Sequence, residues 1–213
     1  EFRRRSVPTV VGGYSVKPML ERCRQHFDAV VLGDAEGIIS RICHDQAQGQ
    51  LRPVYENLHP PIEHLPPPRY DLIPRHLVGD IVPLEASRGC PNACSFCAVT
   101  DLYHSGYRRR DVQEVLREYE LARNTFGRRL YYFADPNFTA DLTHAKSILR
   151  GLVGKGMAWL ASVDIRALQD DEFLALARRS GCFSLQIGFE TLSAAVLRDS
   201  NKSFASHIDY EPL

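Results

Sequence analysis

Three of the six cysteines in this chain of 213 residues lie close together, as Cys90, Cys94 and Cys97 in the spacing C-x3-C-x2-C. The apolar segment from Asp80 to Ala86 leads almost directly into them. A deprotonated cysteine thiol is a metal ligand as well as a nucleophile. Three thiols on one short segment, called the cysteine loop (residues 90–97) below, therefore indicate one metal centre.

Three interpretations of the cysteine loop are open. A disulfide is the least favoured, because three cysteines are an odd number. Zinc would need a fourth ligand to complete a tetrahedron, and His104 is near in sequence, but zinc sites are usually built from C-x2-C pairs. An iron–sulfur cluster is held by thiolates and normally takes four of them. Three cysteines would then leave one iron open to another ligand.

The charge and hydropathy of the chain bear on its partners. Lys and Arg together number 26, as do Asp and Glu, so no net charge favours nucleic acid or an anionic membrane as the partner. We expect the arginine clusters at residues 3–5 and 108–110 to lie on the solvated surface. No apolar run approaches the roughly 20 residues that span a bilayer, so we expect no transmembrane segment.

Residues 7 to about 50 alternate between strand and helix patterns. Residues 7–11 and 28–32 are apolar runs typical of buried strands, and residues 18–26 and 38–47 have helical patterns. The β-α-β-α order predicts a parallel, doubly wound sheet of Rossmann-like type. Ligands of such sheets bind beyond the carboxyl ends of the strands, which makes candidates of four residues: Gly12, Gly13, Gly33 and Asp34. The residues alone favour the alternative, in which they only form tight turns.

The composition changes between Pro53 and Pro83, a segment that contains eight of the chain's 13 prolines. Proline lacks a backbone donor and restrains the residue before it, which disfavours both helices and central strands. We therefore predict an extended linker over residues 53–83.

From residue 84 onward, strand and helix patterns alternate again. Helices are predicted over residues 112–126, 142–153 and 171–180, and strands over residues 130–134, 158–163 and 183–187. A repeated βα unit predicts a β/α barrel or part of one. The fold class predicted for the chain is thus α/β, a partial doubly wound segment followed by a partial barrel.

Polar residues follow successive strands of this predicted barrel. The cysteine loop follows the first strand, and the next three are followed by Asp135 and Asn137, by Ser162, Asp164 and Arg166, and by Gly188 and Glu190. Each of these alone can be a helix cap or a turn residue. Catalytic groups of β/α barrels gather at the carboxyl ends of the strands, so their coincidence with the cysteine loop favours an active-site rim.

With Phe96 just before its third cysteine, the cysteine loop resembles the cluster motif of the radical S-adenosylmethionine (radical SAM) superfamily. The chain is similar, from Val10–Gly13 through Asp135–Phe138 to Gly188–Thr191, to the branch that carries a cobalamin-binding domain, as hopanoid-methylase-like proteins do. The resemblance implies that Cys90, Cys94 and Cys97 hold a 4Fe-4S cluster. In that superfamily, S-adenosylmethionine binds the open iron and is split by one electron to a 5′-deoxyadenosyl radical.

The resemblance also assigns the rim residues to S-adenosylmethionine. Asp135 and Asn137 lie where the superfamily contacts the methionine amino group, and Ser162, Asp164 and Glu190 where it contacts the ribose and methionyl portions. Many relatives have a second Asp where this chain has Pro136. One carboxylate is therefore missing from the usual amino-group site.

The resemblance further implies a domain organisation and partners. Residues 1–52 would be the C-terminal part of a cobalamin-binding domain, and residues 84–213 the first four βα units of a truncated radical SAM domain. Cobalamin would be a further cofactor, at Gly12, Gly13, Gly33 and Asp34. The expected reaction is methyl transfer or related radical chemistry on a small-molecule or lipid substrate, with flavodoxin or ferredoxin as electron donor.

Two alternatives come from other classes. One is a methylthiotransferase-like enzyme acting on RNA or protein, which would carry a second cluster motif upstream. The other is a non-catalytic zinc-binding module that uses the same cysteines. For the favoured interpretation we expect a cytoplasmic protein, with peripheral membrane association compatible with a lipid substrate.

Overall fold

The computed structural model describes residues 1–103 and 106–208. The chain divides into two compact units, Glu1–Pro61 and Ile62–Leu213. In the described residues, no helix is both long and apolar enough to cross a membrane.

The first unit is a parallel sheet with helices on both faces. Its strands are β1 (Val10–Val11), β2 (Ala29–Gly33) and β3 (Val54–Asn57), in the order β1-β2-β3, and its helices are α1 (Leu20–His26) and α2 (Ile39–Ala47). Alternate residues of β2 enter different cores: Val30 packs with Cys23 near α1, whereas Ala29 and Val31 pack with Ile42 of α2. Successive side chains of a strand point to opposite faces, so both faces of β2 are covered. This arrangement confirms the predicted doubly wound class.

Strand β3 lies within the segment that we predicted to be linker. It pairs in parallel with β2 and begins directly after Pro53, whose carbonyl accepts a hydrogen bond from Val30 N at 3.0 Å. A proline is compatible with a strand where no donor is required of it. The first unit therefore extends to Pro61, and the second begins at Ile62, within the segment predicted as linker.

Strand β1 is also shorter than its apolar run. The backbone N–H and the hydroxyl of Thr9 both donate to the Asp28 carboxylate at 2.8 Å, and Pro8 has no donor. The Asp28 side chain thus fastens the segment before Val10 together with the Thr9 carbonyl, which accepts hydrogen bonds from Asp28 N at 3.0 Å and Ala29 N at 3.1 Å.

The strands of the second unit are β4 (Ile81–Leu84), β5 (Ser87–Gly89), β6 (Tyr107–Arg109), β7 (Leu130–Phe133), β8 (Ala158–Val163) and β9 (Cys182–Ile187). Four of them form a parallel sheet in the order β4-β7-β8-β9. The helices of this unit are α3 (Ala98–Tyr103), α4 (Val112–Phe126), α5 (Leu142–Leu152), α6 (Asp171–Ser180) and α7 (Ala194–Asp199), and short 3-10 helices include Ile165–Gln169 and Ser203–Ala205.

One hydrophobic core joins this sheet to its helices. Phe133, Phe138 and Trp159 meet in its centre, with Phe133 and Phe138 stacked at 4.5 Å between ring centroids. Helices α4, α5 and α6 supply the other side, through residues such as Ile148 and Phe173. Parallel strands with helices packed on the sheet confirm the α/β class, with the second unit as a partial barrel.

The helix bounds follow from their caps. Helix α4 spans the predicted residues, because the Asp111 carboxylate accepts a hydrogen bond from Gln113 N at its start and Gly127, at φ 79°, ends it. Helix α6 likewise runs from the Asp170 cap to Gly181 in the left-handed conformation. Such caps satisfy the unpaired donors and acceptors at helix ends.

The expectation of a solvated arginine cluster is wrong for Arg110. Its side chain is only 3% exposed and forms a salt bridge with Glu118 of α4, which is 4% exposed. The Tyr70 hydroxyl donates to the same carboxylate at 2.8 Å, and burial, with the Glu118 charge beside it, raises the Tyr70 pKa. A buried charge of this kind needs its partners, which here hold the segment before β4 against α4.

Candidate functional site

The carboxyl ends of β4, β7, β8 and β9 open into one cleft of about 200 Å³. It is lined by Cys90, Asn92, Cys94, Phe96, Cys97, Pro136, Asn137, Ser162, Val163, Asp164, Ile165, Gln186, Gly188, Glu190, Lys202 and Phe204. The predicted rim therefore exists, and it brings together all three cysteines of the loop with most of the predicted polar residues.

A short antiparallel hairpin, which the sequence patterns did not predict, delivers the chain to the cysteine loop. Strand β5 pairs with β6 and ends at Gly89, directly before Cys90. Gly89 has φ +82°, and a Cβ there would lie 1.9 Å from the carbonyl oxygen of Gly106. Only glycine fits this position, so the sequence Gly89-Cys90 is set by the close approach of the two strands.

The cysteine loop is folded around the carbonyl of Cys94. Cys97 N and the Thr100 hydroxyl both donate to this oxygen, each at 3.1 Å, and α3 begins just beyond. Burial raises the pKa of the Cys90 and Cys94 thiols. Binding of a metal to these thiols would release their protons.

The donor set fits an iron–sulfur cluster. Among residues 1–103 and 106–208, no three His, Cys, Asp or Glu side chains are grouped as ligands of a single metal ion. A cluster does not require such a group, because each of its thiolates binds a different iron. His104, the fourth ligand of the zinc hypothesis, lies outside the described residues.

Asn137 is held beside the first cysteine. Its side-chain oxygen accepts hydrogen bonds from the backbone and hydroxyl of Thr139 at 3.2 and 3.1 Å, which fixes the amide. Its Nδ2 then points to Cys90 Sγ at 3.8 Å. A hydrogen bond to a ligating sulfur is one of the ways in which proteins adjust such centres.

Asp164 and Arg166 connect the end of β8 to the cysteine loop. The Asp164 carboxylate accepts from Arg166 Nε at 2.8 Å and from Asn92 Nδ2 at 3.0 Å, and Asn92 lies between Cys90 and Cys94 in sequence. Burial alone would raise the pKa of Asp164, but the hydrogen bonds from Arg166 and Asn92 outweigh it and lower the pKa. The group is therefore a buried carboxylate anion facing the cleft.

Ser162 and Glu190 also line the cleft. The Ser162 hydroxyl donates to Gln186 Oε1 at 3.3 Å, across neighbouring strands β8 and β9. Glu190, in the left-handed region at φ 59°, accepts from Lys202 Nζ at 3.0 Å. Both predicted residues thus line the cleft, each with a partner that sequence patterns did not indicate.

Asp135 is placed elsewhere. It is 1% exposed and is not among the residues that line the cleft. Its carboxylate accepts hydrogen bonds from Ala86 N at 3.1 Å and from the Ser87 hydroxyl. Asp135 therefore fastens the end of β7 to the start of β5, and burial raises its pKa to about 7.

The candidates of the first unit lie at one edge of its sheet, as the parallel strands require. Gly12 and Gly13 follow β1, and Gly33 ends β2. Gly33 has φ +91°, and a Cβ there would lie 2.2 Å from the carbonyl oxygen of Asn57. Asp34 N donates to that same oxygen at 2.9 Å. Contact with β3 therefore accounts for Gly33, which supports the tight-turn interpretation at this position.

Among the cleft residues that the sequence analysis missed are Asn92, Gln186, Lys202 and Phe204. Asn92 lay inside the motif but carried no separate signal. Gln186 alternates with core residues along β9. This period of two could have placed its side chain on the face of the strand opposite the core. Lys202 and Phe204 come from the segment after α7, where no pattern pointed back to the cysteines.

Comparison with known families supports the superfamily resemblance. The family model described as the radical SAM superfamily matches residues 84–208, more than half of the chain. The bacteriochlorophyllide d C-12(1)-methyltransferase of Chlorobaculum tepidum is 29% identical over 209 residues, which cover 95% of this chain and 46% of that protein. The hopanoid C-2 methylase of Rhodopseudomonas palustris is 25% identical over 92% of this chain and 39% of its own length.

The fold has a solved counterpart as well. The radical S-adenosylmethionine methyltransferase TsrM from Kitasatospora setae, with cobalamin and a [4Fe-4S] cluster bound, matches 91% of this chain and 45% of its own, at a TM-score of 0.72 and 18% identity. The chain spans about half the length of the proteins it matches. This likeness concerns the fold of both units, including the β1-β2-β3 sheet.

Proposed function

Because the chain belongs to the radical SAM superfamily, we propose that its parent protein is a cobalamin-dependent radical SAM methyltransferase. A bound cluster would supply the electron that splits S-adenosylmethionine, and a bound cobalamin would carry the methyl group. The relatives named above are methyltransferases, which favours this proposal over the methylthiotransferase-like enzyme and the zinc module.

The site residues predicted from the sequence have separate roles in this proposal. Cys90, Cys94 and Cys97 bind the 4Fe-4S cluster, whose fourth iron stays open for S-adenosylmethionine. The Asp164 carboxylate, Asn137 and Glu190 bind polar groups of that molecule, and Ser162 contributes its hydroxyl. Asp135 acts through the hairpin that it fastens rather than by contact.

The first unit would bind cobalamin as the C-terminal part of a larger domain. Gly12, Gly13, Gly33 and Asp34 follow parallel strands at one sheet edge, the usual ligand side of doubly wound folds. The domain assignments of residues 1–52 and 84–213 belong to the same proposal.

The substrate is proposed from chemistry that the relatives share. Their names specify a bacteriochlorophyllide and a hopanoid, which are large and largely apolar molecules. We expect a lipid or another apolar natural product as the substrate of the parent protein. A reduced flavodoxin or ferredoxin would be the electron donor, in the cytoplasm or at the surface of a membrane.

The observation that carries the proposal is the single cleft that joins the three cysteines to polar side chains from β7, β8 and β9. Its test is the anaerobic reaction of the full-length protein with S-adenosylmethionine and dithionite, followed by chromatography. We expect 5′-deoxyadenosine from the wild type and none from the Cys94→Ala variant. Equal amounts from both would contradict the proposal.

Substitution of Asp164 tests S-adenosylmethionine binding separately from cluster binding. Asp164→Asn removes one charge and keeps the shape of the side chain, so we expect weaker S-adenosylmethionine binding with the cluster retained. Asp170→Asn, at the cap of α6 and outside the cleft lining, is the matched control. Unchanged binding by Asp164→Asn would remove that residue from the proposed ligand set.

A further inference from the structure

The segment 200–202, after α7, returns to the cysteine loop and holds the backbone on both sides of Cys94. Ser95 N donates to the Ser200 carbonyl at 3.0 Å, and Asn201 Nδ2 donates to the Ala93 carbonyl at 2.7 Å. More than 100 residues of sequence separate these partners, so the contacts are tertiary. The loop is thus fastened at the two residues that flank its middle cysteine.

Asn201 is suited to this position by its backbone. It has φ 57°, in the left-handed region that few residues other than glycine and asparagine adopt. That turn directs its amide to the Ala93 carbonyl and sends the next residue, Lys202, into the cleft.

Lys202 brings a buried positive charge to the cysteines. The residue is 8% exposed, and its Nζ donates to the Gly188 carbonyl at 2.7 Å and to Glu190 Oε1 at 3.0 Å. The ammonium lies 5.8 Å from the centre of the Phe96 ring. Lys202 and Cys94 line the same cleft.

Gly188 makes room for this ion pair. A Cβ on it would lie 2.5 Å from Glu190 Oε1 and 3.2 Å from Lys202 Nζ. The carboxylate and the ammonium therefore meet directly above a position without a side chain.

We propose that Asn201 and Lys202 are positioning residues for the cysteine loop: Asn201 fixes the backbone around Cys94, and Lys202 places a positive charge beside it that raises the reduction potential of the bound cluster. This inference rests on the proposed function. If the wild type takes up no iron and sulfide, the proposed function fails; if it does, the variants below decide the inference alone.

The direction of the effect follows from electrostatics. Reduction adds one electron to the cluster, and a nearby positive charge stabilises the more negative state. The net charge around a cluster is a recognised determinant of its potential. Lys202 is more buried than its partner, with 10% of its side chain exposed against 44% for Glu190, so water screens the lysine less. Loss of the Lys202 charge should therefore lower the reduction potential of the cluster, and loss of the Glu190 charge should raise it.

The test is a redox titration of the reconstituted protein, followed by electron paramagnetic resonance without S-adenosylmethionine. We expect a more negative midpoint potential for Lys202→Met, a more positive one for Glu190→Gln, and a value near the wild type for Lys202→Arg. Lys155→Met is the matched control, because Lys155 also pairs with a glutamate, Glu120, but does not line the cleft.

Each outcome decides the charge effect. An unchanged or more positive potential in Lys202→Met would overturn it, as would an equal shift in Lys155→Met. If Lys202→Met fails to hold a cluster, the Glu190→Gln potential decides alone: a positive shift supports the inference, and no shift refutes it.

The backbone role of Asn201 is tested by Asn201→Gly. Glycine adopts the left-handed conformation without steric strain, so the contact that this change removes is the hydrogen bond to the Ala93 carbonyl. We expect a several-fold faster release of cluster iron to a chelator. Ser206→Ala, which removes a local hydrogen bond to the Ser203 carbonyl, is the control. A release rate equal to the wild type would refute the role of Asn201.

Discussion

Asp135 should give the stability of this chain a pH dependence opposite to that of an ordinary carboxylate. Its pKa is about 7 in the folded protein, because burial disfavours the charged form more than its hydrogen bonds favour it. In the unfolded chain the pKa is near 3.8. The folded state therefore binds the proton more tightly, and stability is lost as the pH rises from about 4 to about 7.

The magnitude follows from linkage. Each tenfold difference in proton affinity corresponds to about 1.4 kcal/mol, so this group alone lowers the free energy of unfolding by about 4 kcal/mol between pH 4 and pH 8. Asp135→Asn cannot titrate and should abolish that contribution. Urea unfolding of both proteins, followed by circular dichroism from pH 4 to pH 8, measures it.

The difference in unfolding free energy between wild type and Asp135→Asn isolates the group from all others that titrate. We expect this difference to fall by several kcal/mol as the pH rises. Asp170→Asn is the control: Lys146 lowers the pKa of Asp170, so its contribution to stability is lost only below about pH 4, and the corresponding difference should stay nearly constant from pH 4 to pH 8. A difference for Asp135→Asn that does not depend on pH would refute the reasoning.

Two further changes test the packing that supports the site. Glu118→Gln should lower the unfolding free energy by about 3 to 5 kcal/mol, because it leaves the buried Arg110 without its counter-charge. Glu114→Gln on the same helix, where the Arg117 pair is more exposed, should cost at most about 1 kcal/mol, and equal losses would contradict this account. Gly181→Ala should lower the thermal midpoint strongly, because its Cβ would lie 1.8 Å from the Met157 carbonyl oxygen, whereas Gly154→Ala meets open space and pays only for its backbone conformation, about 1 to 2 kcal/mol. Similar midpoints for these two variants would show that the close approach is not rigid.

Elements with local determinants were predictable from the sequence. Helix α4 has its cap at Asp111, an amphipathic repeat and a stop at Gly127, so its bounds match the prediction. Strand β8 also matches, since it is a short, largely apolar run whose residues alternate between buried and less buried. The cysteine motif, too, is local, and it placed the cleft at the correct strand ends.

Features that depend on distant partners were not predictable. Strand β3 forms because β2 offers a free edge to residues that prolines flank. Arg110 is buried because Glu118 and the Leu65 carbonyl meet it. Lys202 reaches the cleft through contacts that no sequence periodicity encodes.

Asp135 shows a further limit of sequence reasoning. A carboxylate at the end of a strand was expected to face the cleft, but the side chain of a strand-end residue can point either way. In the structure it points toward Ala86 and Ser87, whereas Asn137, two residues later, faces Cys90. The position on the rim was predictable from the pattern, and the orientation was not.

The central claim is that Cys90, Cys94 and Cys97 hold an iron–sulfur cluster, and metal analysis after anaerobic reconstitution tests it most directly. We expect about four iron and four sulfide per chain in the wild type, and loss of the cluster and its visible absorption when any one of the three is changed to alanine. Alanine variants of the remaining cysteines, Cys23, Cys43 and Cys182, should retain both. Zinc without sulfide in the wild type, or a complete cluster in Cys94→Ala, would contradict the claim.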